Sequence, residues 1–443
     1  MRRLLFIFSF FSLLVVDGKA QEVETLTLED CLRIGIDNNL SLEGKRKEIQ
    51  KSKYGVSENR SKLLPQINAI AGYNNNFDPP VSVTDGSSYG VPYNITKTLQ
   101  HSANAGLEMQ MPLFNQTLYT SMSIAKVMEE ISRLSYGKAR EDVILQISKM
   151  YYLGQVTAEQ IMLIKANIIR LEELRDITQA FFDNGMSMEV DLKRVNINLE
   201  NLKVQYDNAQ AMMKQQLNML KYIMDYPAEK EIALTPVNTD SITTVALTGL
   251  SENIYELQLS QSQVQLAERQ KKIITNGYIP SLSLTGSWRY AAYTDKGYHW
   301  FHSGPSNQWF RSYGVGLTLR IPIFDGLDKT YKIKKAMIDI ENKRLAWEDA
   351  RKNLQTQYLN AVNDLMNNQR NFKKQKDNYL LAEDVYAVTS DRYREGIASM
   401  TEVLQDEMQM SEAQNNYISA HYNYRVTNLM LLKLTGQIES LVK

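Results

Sequence analysis

The 443-residue chain predicts a mainly α fold with a membrane β-barrel portion, internally duplicated, and three observations carry that expectation. Segments of one half recur in the other at nearly the same offset. Long stretches without proline carry heptad spacing, the mark of coiled-coil-like helices. Four short segments alternate apolar and polar residues over about 9–11 positions, the length of a tilted membrane-crossing strand.

The duplication is clearest around two glycines. The segment from Phe181 returns in outline from Asp391, and Gly185, Asp191, Tyr206 and Ala209 match Gly396, Glu402, Tyr417 and Ala420 at one constant offset. LLPQINAIAGY from Leu63 answers to YIPSLSLTGSW from Tyr278, and LEMQMPLF from Leu107 to LTLRIPIF from Leu317. A unit of roughly 210 residues is far longer than a solenoid repeat of about 20–50. The expected organisation is a first repeat over 21–240 and a second over 241–443.

Residues 1–20 read as a secretory signal: Arg2 and Arg3, an apolar core from Leu4 to Val16, then Gly18-Lys19-Ala20. The first repeat opens with a helix over about 27–62. A strand over about 66–77 follows, with Ile67, Ala69, Ala71 and Tyr73 on one side. A polar loop over about 77–100 leads to a second strand over about 103–114, where Leu107, Met109 and Met111 alternate with Glu108 and Gln110. The next helix runs over about 117–183, or roughly 100 Å at 1.5 Å per residue. Gly137 and Gly154 are candidate bends in it. A sharp turn at Gly185 sends the chain back along a helix whose seam reads Leu192, Val195, Leu199, Leu202, Tyr206 and Ala209.

The second repeat runs through the same series. It has a helix over about 251–277, strands over about 281–293 and 310–322 flanking a loop over about 294–309, and a helix over about 327–394. That helix carries the seam Leu354, Tyr358, Ala361, Leu365, Phe372, Tyr379, Tyr386 and Tyr393. After Gly396 a returning helix carries Val403, Met410, Ala413, Tyr417 and Tyr424. Trp288, Tyr290, Tyr293, Trp300, Phe301, Trp309 and Phe310 gather near the strand ends, as an interfacial girdle does.

Composition excludes several classes. Fifty basic residues balance fifty acidic ones, so no electrostatic case for nucleic acid exists. The single Cys31 reads as a small buried apolar side chain. His101, His299, His302 and His421 are scattered, and the His299/His302 spacing lacks a second pair of metal ligands. No catalytic cluster, cofactor motif or nucleotide-binding motif is expected.

Four strands cannot line a membrane alone, because an open edge in hydrocarbon strands N–H and C=O groups at several kcal/mol each. Three copies pooling strands give about twelve, enough for an aqueous lumen. Glu108, Gln110, Arg289 and Arg320 are the expected lumen residues. A non-pore periplasmic or surface coiled-coil scaffold is the alternative. It explains the heptads but neither the alternating segments nor their duplication.

LTLEDCLRIGIDNNLSL near the start, LLPQINAIAGY before the first strand, the MPLF and IPIFDG strand ends and the paired glycine turns together resemble the TolC-type outer-membrane efflux family. The resemblance implies a homotrimer with a strand barrel in the outer membrane and a helical barrel in the periplasm. It also implies a periplasmic adaptor protein and an inner-membrane efflux pump as partners, with small molecules as cargo. For a periplasmic gate it implies Glu402 as an inner acidic residue and Asp191 as a linking aspartate with Tyr393 as its partner. Gln405 stands at the second inner acidic position and Ala398 at an expected arginine, both departures from the pattern. Glu402 and Asp191 read equally well as helix-start residues after a turn. Gly185-Met186 and Gly396-Ile397 match the family's adaptor-docking pattern, and as residues alone they read as αL turns.

Overall fold

The computed structural model describes residues 24–236, 249–295 and 308–442. The signal segment 1–20 and the loop residues His299, Trp300, Phe301 and His302 lie outside the described residues. In chain order the elements are β1 (Glu24–Leu26), α1 (Leu28–Asn38), α2 (Leu40–Ser61), β2 (Gln66–Asn75), β3 (Val81–Asp85), β4 (Tyr93–Lys97) and β5 (His101–Phe114). Then come α3 (Gln116–Asp183), α4 (Glu189–Met224), β6 (Ile232–Leu234), α5 (Tyr255–Asn276), β7 (Ser281–Thr294), β8 (Trp309–Arg320), α6 (Asp328–Arg394) and α7 (Met400–Leu434). Two compact units each draw on both halves of the sequence. One takes Met1–Glu43, Ala139–Ile254 and Leu354–Lys443; the other takes Gly44–Lys138 and Tyr255–Asn353.

The second unit is built on one antiparallel sheet in the order β2-β5-β7-β8. Period-two alternation gives each strand an apolar and a polar side, and the register aligns those sides across the whole sheet. Among the described residues its two outer strands, β2 and β8, each have one side without a ladder partner. The segment expected as a polar loop contains a short hairpin instead, with Val81 opposite Lys97 and Val83 opposite Ile95. Its turn is held by Asp85, whose Oδ1 accepts from the Ser87 amide at 2.9 Å. The alternation there spans only a few residues and is easily hidden among turn-forming neighbours.

In the first unit, heptad positions of four helices close on one another. Leu171 and Leu174 of α3, Val195, Leu199 and Leu202 of α4, Tyr386 and Tyr393 of α6, and Val403 and Met410 of α7 share one core. Each fully buried side chain of this size contributes about 1.5–3 kcal/mol of transfer free energy. Farther along, Phe372 stacks on Tyr417 and Tyr424 at 5.8 and 5.7 Å, and Tyr379 on Tyr417 at 5.7 Å. His421 is wholly buried there. Arg425 Nε donates to its Nε2 at 3.0 Å, so its other nitrogen carries the proton toward Glu159, 3.3 Å away. The neutral imidazole is a packing and bonding residue in this network.

Three local features depart from the expectation. The opening helix is two helices, because Asn39 ends α1 and starts α2. Its amide donates to the Ile223 carbonyl at 2.8 Å, and its Oδ1 accepts from the Leu42 amide at 3.1 Å. The helix α3 is continuous over 68 residues despite two glycines. A Cβ on Gly137 would meet the Tyr255 ring at 2.5 Å and one on Gly154 would meet Leu234 at 2.6 Å, so both serve close packing. A parallel pair, β1 with β6, was not expected; Tyr151 of α3 donates to its Leu26 carbonyl and Gln155 to the carbonyl of Thr235, the residue after β6. Cys31 is fully buried in α1, and burial pushes its thiol up to about 12.

Candidate functional site

Two places carry polar groups in an arrangement that packing alone does not demand. The first is one side of the sheet. Register places Glu108 opposite Ser287, Gln110 opposite Thr285, Arg289 opposite Gly106 and Arg320 opposite Ser281. All four expected lumen residues therefore share one face. Glu108 and Arg289 form an ion pair across β5 and β7. Together with Gln110 and Asn68 they border a groove of about 520 Å³ whose floor is made shallow by Thr285, Ser287, Gly314 and Gly316. The opposite face presents Leu107, Leu284, Trp288, Tyr313, Val315 and Leu317. Such a sheet separates an aqueous phase from an apolar one.

The second place is the pair of helix turns. Gly185 and Gly396 adopt φ values of 74° and 75°, the left-handed region that a side chain disfavours. Both turns make the same two bonds. The glycine amide reaches back to the carbonyl of Phe182 or Tyr393, and the next amide to that of Phe181 or Arg392. This is the Schellman motif, in which the residue after the glycine usually folds its apolar side chain back on the helix. Here Met186 is 67% and Ile397 62% exposed, so neither does.

Past each turn the two helices start differently. At α7 the Ser399 hydroxyl accepts from the Glu402 amide at 3.3 Å, and the Glu402 carboxylate accepts from the Ser399 amide at 3.1 Å. Glu402 thus closes a capping box, satisfying two amides that the helix cannot. At α4 the cap is Met188, which has no acceptor. Asp191 holds Arg194 at 3.3 Å instead, and Arg194 donates to Thr401 at 3.3 Å, tying α4 to α7. Gln405 is exposed one turn beyond Glu402.

Tyr393 is buried, its ring 5.7 Å from Phe181 and its hydroxyl donating to Thr178 at 3.3 Å. Tyr393 and Asp191 both border one cleft of about 560 Å³ between the turns, together with Met186, Arg194, Gly396 and Thr401. Sequence reasoning missed Arg194 and Thr178. Arg194 had a signal: it stands at the duplication offset from Gln405. Thr178 is a helix-interior residue that only the packing of α3 against α6 reveals. Among the described residues no group of three or more His, Cys, Asp or Glu could hold a metal ion, and no helix is long and apolar enough to cross a membrane.

The profile of the outer membrane efflux protein family matches residues 34–224 and again 246–437. The outer membrane protein TolC of Vibrio cholerae is 21% identical over 399 residues, covering 86% of this chain and 84% of that relative. TolC of Escherichia coli is 19% identical over 394 residues, covering 86% and 76%. Among solved structures, the Neisseria gonorrhoeae MtrE outer membrane channel in its open state aligns with a TM-score of 0.73 at 18% identity, covering 92% of this chain and 88% of that one. The Vibrio cholerae outer membrane protein VceC aligns with a TM-score of 0.72 at 14% identity, covering 92% and 96%.

Proposed function

The chain belongs to the outer membrane efflux protein family, and from that premise we propose that three copies assemble as one duct. It is an outer-membrane efflux channel protein extending into the periplasm. The observation that carries the trimer is the sheet with one polar face, one apolar face and two outer edges that are unpaired among the described residues. In hydrocarbon those edges must be paired, and β2 of one copy meeting β8 of the next pairs both at once. Three copies close about twelve strands, with Glu108, Gln110, Arg289 and Arg320 turned to the lumen. The duct is passive: a periplasmic adaptor delivers small molecules to it from an inner-membrane pump, which supplies the energy. The exposed Met186 and Ile397, each projecting from a rigid glycine turn, are the adaptor's footing.

Glu402 and Gln405 line the periplasmic entrance, where three Glu402 carboxylates around one axis favour cations. Asp191 and Tyr393, which border the cleft between the two turns, are the linking pair of the same gate. Detergent extraction of membranes followed by electrophoresis with and without heating tests the assembly. A heat-sensitive trimer is expected in the membrane fraction, whereas a wash-off protein running as one chain would favour the scaffold. Because Glu402 also caps α7, the gate is tested with Glu402→Gln, which keeps the capping box and removes the charge. Planar-bilayer recordings should show reduced cation preference; unchanged selectivity takes Glu402 out of the gate.

A further inference from the structure

All four junctions between the sheet and its helices fall at one end of the sheet: α2 runs into β2, β5 into α3, α5 into β7 and β8 into α6. Cations crowd there. Arg60 and Lys62 stand at the end of α2, Lys271 and Lys272 in the last two turns of α5. Lys329, Lys332, Lys334 and Lys335 open α6. The acids within two turns of the junctions are Glu58, Asp325 and Asp328, and each is already paired. Glu58 holds Lys62 at 3.6 Å, Asp325 holds Lys329 at 2.9 Å and Asp328 holds Lys332 at 2.6 Å. Arg60, Lys271, Lys272, Lys334 and Lys335 are left without an ion pair among the described residues. In a chain of fifty basic and fifty acidic residues, that is a local excess.

We propose that this collar holds the headgroups of anionic phospholipids on the periplasmic side of the outer membrane. The inference rests on the duct reading above and adds a lipid partner to it.

The level of the collar fits. The apolar face of the sheet ends at Leu282 and Leu319 on this side, and the cations begin within two turns of the helix ends that follow. A headgroup layer lies at that height, because polar zones widen a hydrocarbon core of about 30 Å to about 40–45 Å. Tyrosine accompanies the charge, as it does at a membrane boundary. Tyr278 and Tyr331 are 42% and 63% exposed, and Lys329 and Lys334 hold their ammonium groups 5.0 and 5.7 Å from those two rings.

Leu327, Tyr331 and Lys334 follow one another at four and three residues, a strip that passes from apolar to aromatic to charged with distance from the sheet. Lys271 and Lys272 border an open groove of about 520 Å³ between α5 and α6, together with Thr275 and the apolar Met337. Helix stability does not ask for the lysines of α6, which stand toward the positive end of its dipole. An anionic surface outside the chain answers them, and each cation beside one strengthens the attraction about fivefold.

Lipid titration tests the collar. The trimer, extracted in a neutral detergent, is titrated with phosphatidylglycerol or phosphatidylcholine, and bound lipids are counted by native mass spectrometry. The parent should bind phosphatidylglycerol at least tenfold more tightly, and inorganic phosphate should not displace it. Lys271→Gln/Lys272→Gln/Lys334→Gln/Lys335→Gln should weaken phosphatidylglycerol binding at least tenfold and leave phosphatidylcholine unchanged. Lys214→Gln/Lys373→Gln/Lys374→Gln, on α4 and far along α6, should match the parent. Equal affinity for the two lipids, a collar variant that binds like the parent, or displacement by phosphate overturns the inference. So does a change in ion selectivity without a change in lipid binding, which would put the lysines in the lumen. If the collar variant fails to assemble, salt decides with the parent alone: phosphatidylglycerol binding must weaken as salt rises, and salt-indifferent binding overturns the collar. Absence of any trimer in the membrane extract overturns the duct itself.

Discussion

The two helix turns are copies of one design that have kept the backbone and exchanged the side chains. Each ends its descending helix with a left-handed glycine and the same pair of amide bonds, and each leaves an apolar residue exposed beyond it. The second turn then caps α7 through Ser399 and Glu402. The first has Met188 where a cap should be, and Asp191 and Arg194 spend their charges on a bridge to Thr401. The same chain shows the missing device elsewhere: Thr27 and Asp30 form a capping box at α1. Backbone geometry at a turn is thus demanded by the reversal of the chain. The residues after it are free to serve either the helix start or a contact between helices.

The comparison can be strained most strongly in the shared core. Leu199 and Met410 stand at the duplication offset and are both buried. Leu199→Ala and Met410→Ala should each cost about 2–5 kcal/mol in denaturant unfolding. A large inequality would mean that the two hairpins do not carry equal shares of the core.

A second difference lies beneath α7. Glu407 is buried where the first repeat has exposed Asn196, and its Oε1 has no hydrogen-bond partner. Burial raises its pKa, with Arg170 opposing. Protonated, it is tolerated; as pH climbs past the ordinary carboxylate range, ionisation of a group held neutral by the fold takes stability away. Glu407→Gln should therefore match the parent at acid pH and exceed its thermal stability increasingly as pH rises. Parallel curves at all pH values would contradict this.

Substitution of the turn glycines should affect both copies alike. Gly185→Ala and Gly396→Ala each place a side chain at positive φ, costing about 1–2 kcal/mol in melting experiments. The smallest effect tests the asymmetry. Ser399→Ala should lose about 1 kcal/mol, whereas Met188→Ser should gain up to about 1 kcal/mol by giving Asp191 a box to close. If Met188→Ser gains nothing, the bridge from Arg194 to Thr401 is worth as much as a cap.

Much of this was readable in the chain. Heptad seams located α4, α6 and α7, because a repeat near 3.5 fits only a helix with one buried face, and the span without breakers between Pro112 and Gly185 located α3. Alternation located β2, β5, β7 and β8, and with them the shared face of Glu108, Gln110, Arg289 and Arg320. The break at Asn39 was hidden, because the carbonyl that its amide bonds belongs to Ile223, far away in sequence. The use of Gly137 and Gly154 was hidden for the same reason: their partners, Tyr255 and Leu234, are distant. Of the gate candidates, Glu402 carried its capping role in the Ser-x-x-Glu spacing, while Asp191, with no cap before it, did not reveal Arg194 as its partner.

What the amino-acid order determines by itself is periodic: which segments are helical, which are extended, where glycine must reverse the chain, and which side of each element is apolar. Those properties depend on neighbours within a few residues. Which polar group meets which across the molecule was decided only in the folded chain: Tyr393 with Thr178, Arg194 with Thr401, Asn39 with Ile223. A single hydrogen bond contributes about 0.5–1.5 kcal/mol net and leaves no periodic trace, so its partner is chosen by the packing of the whole unit.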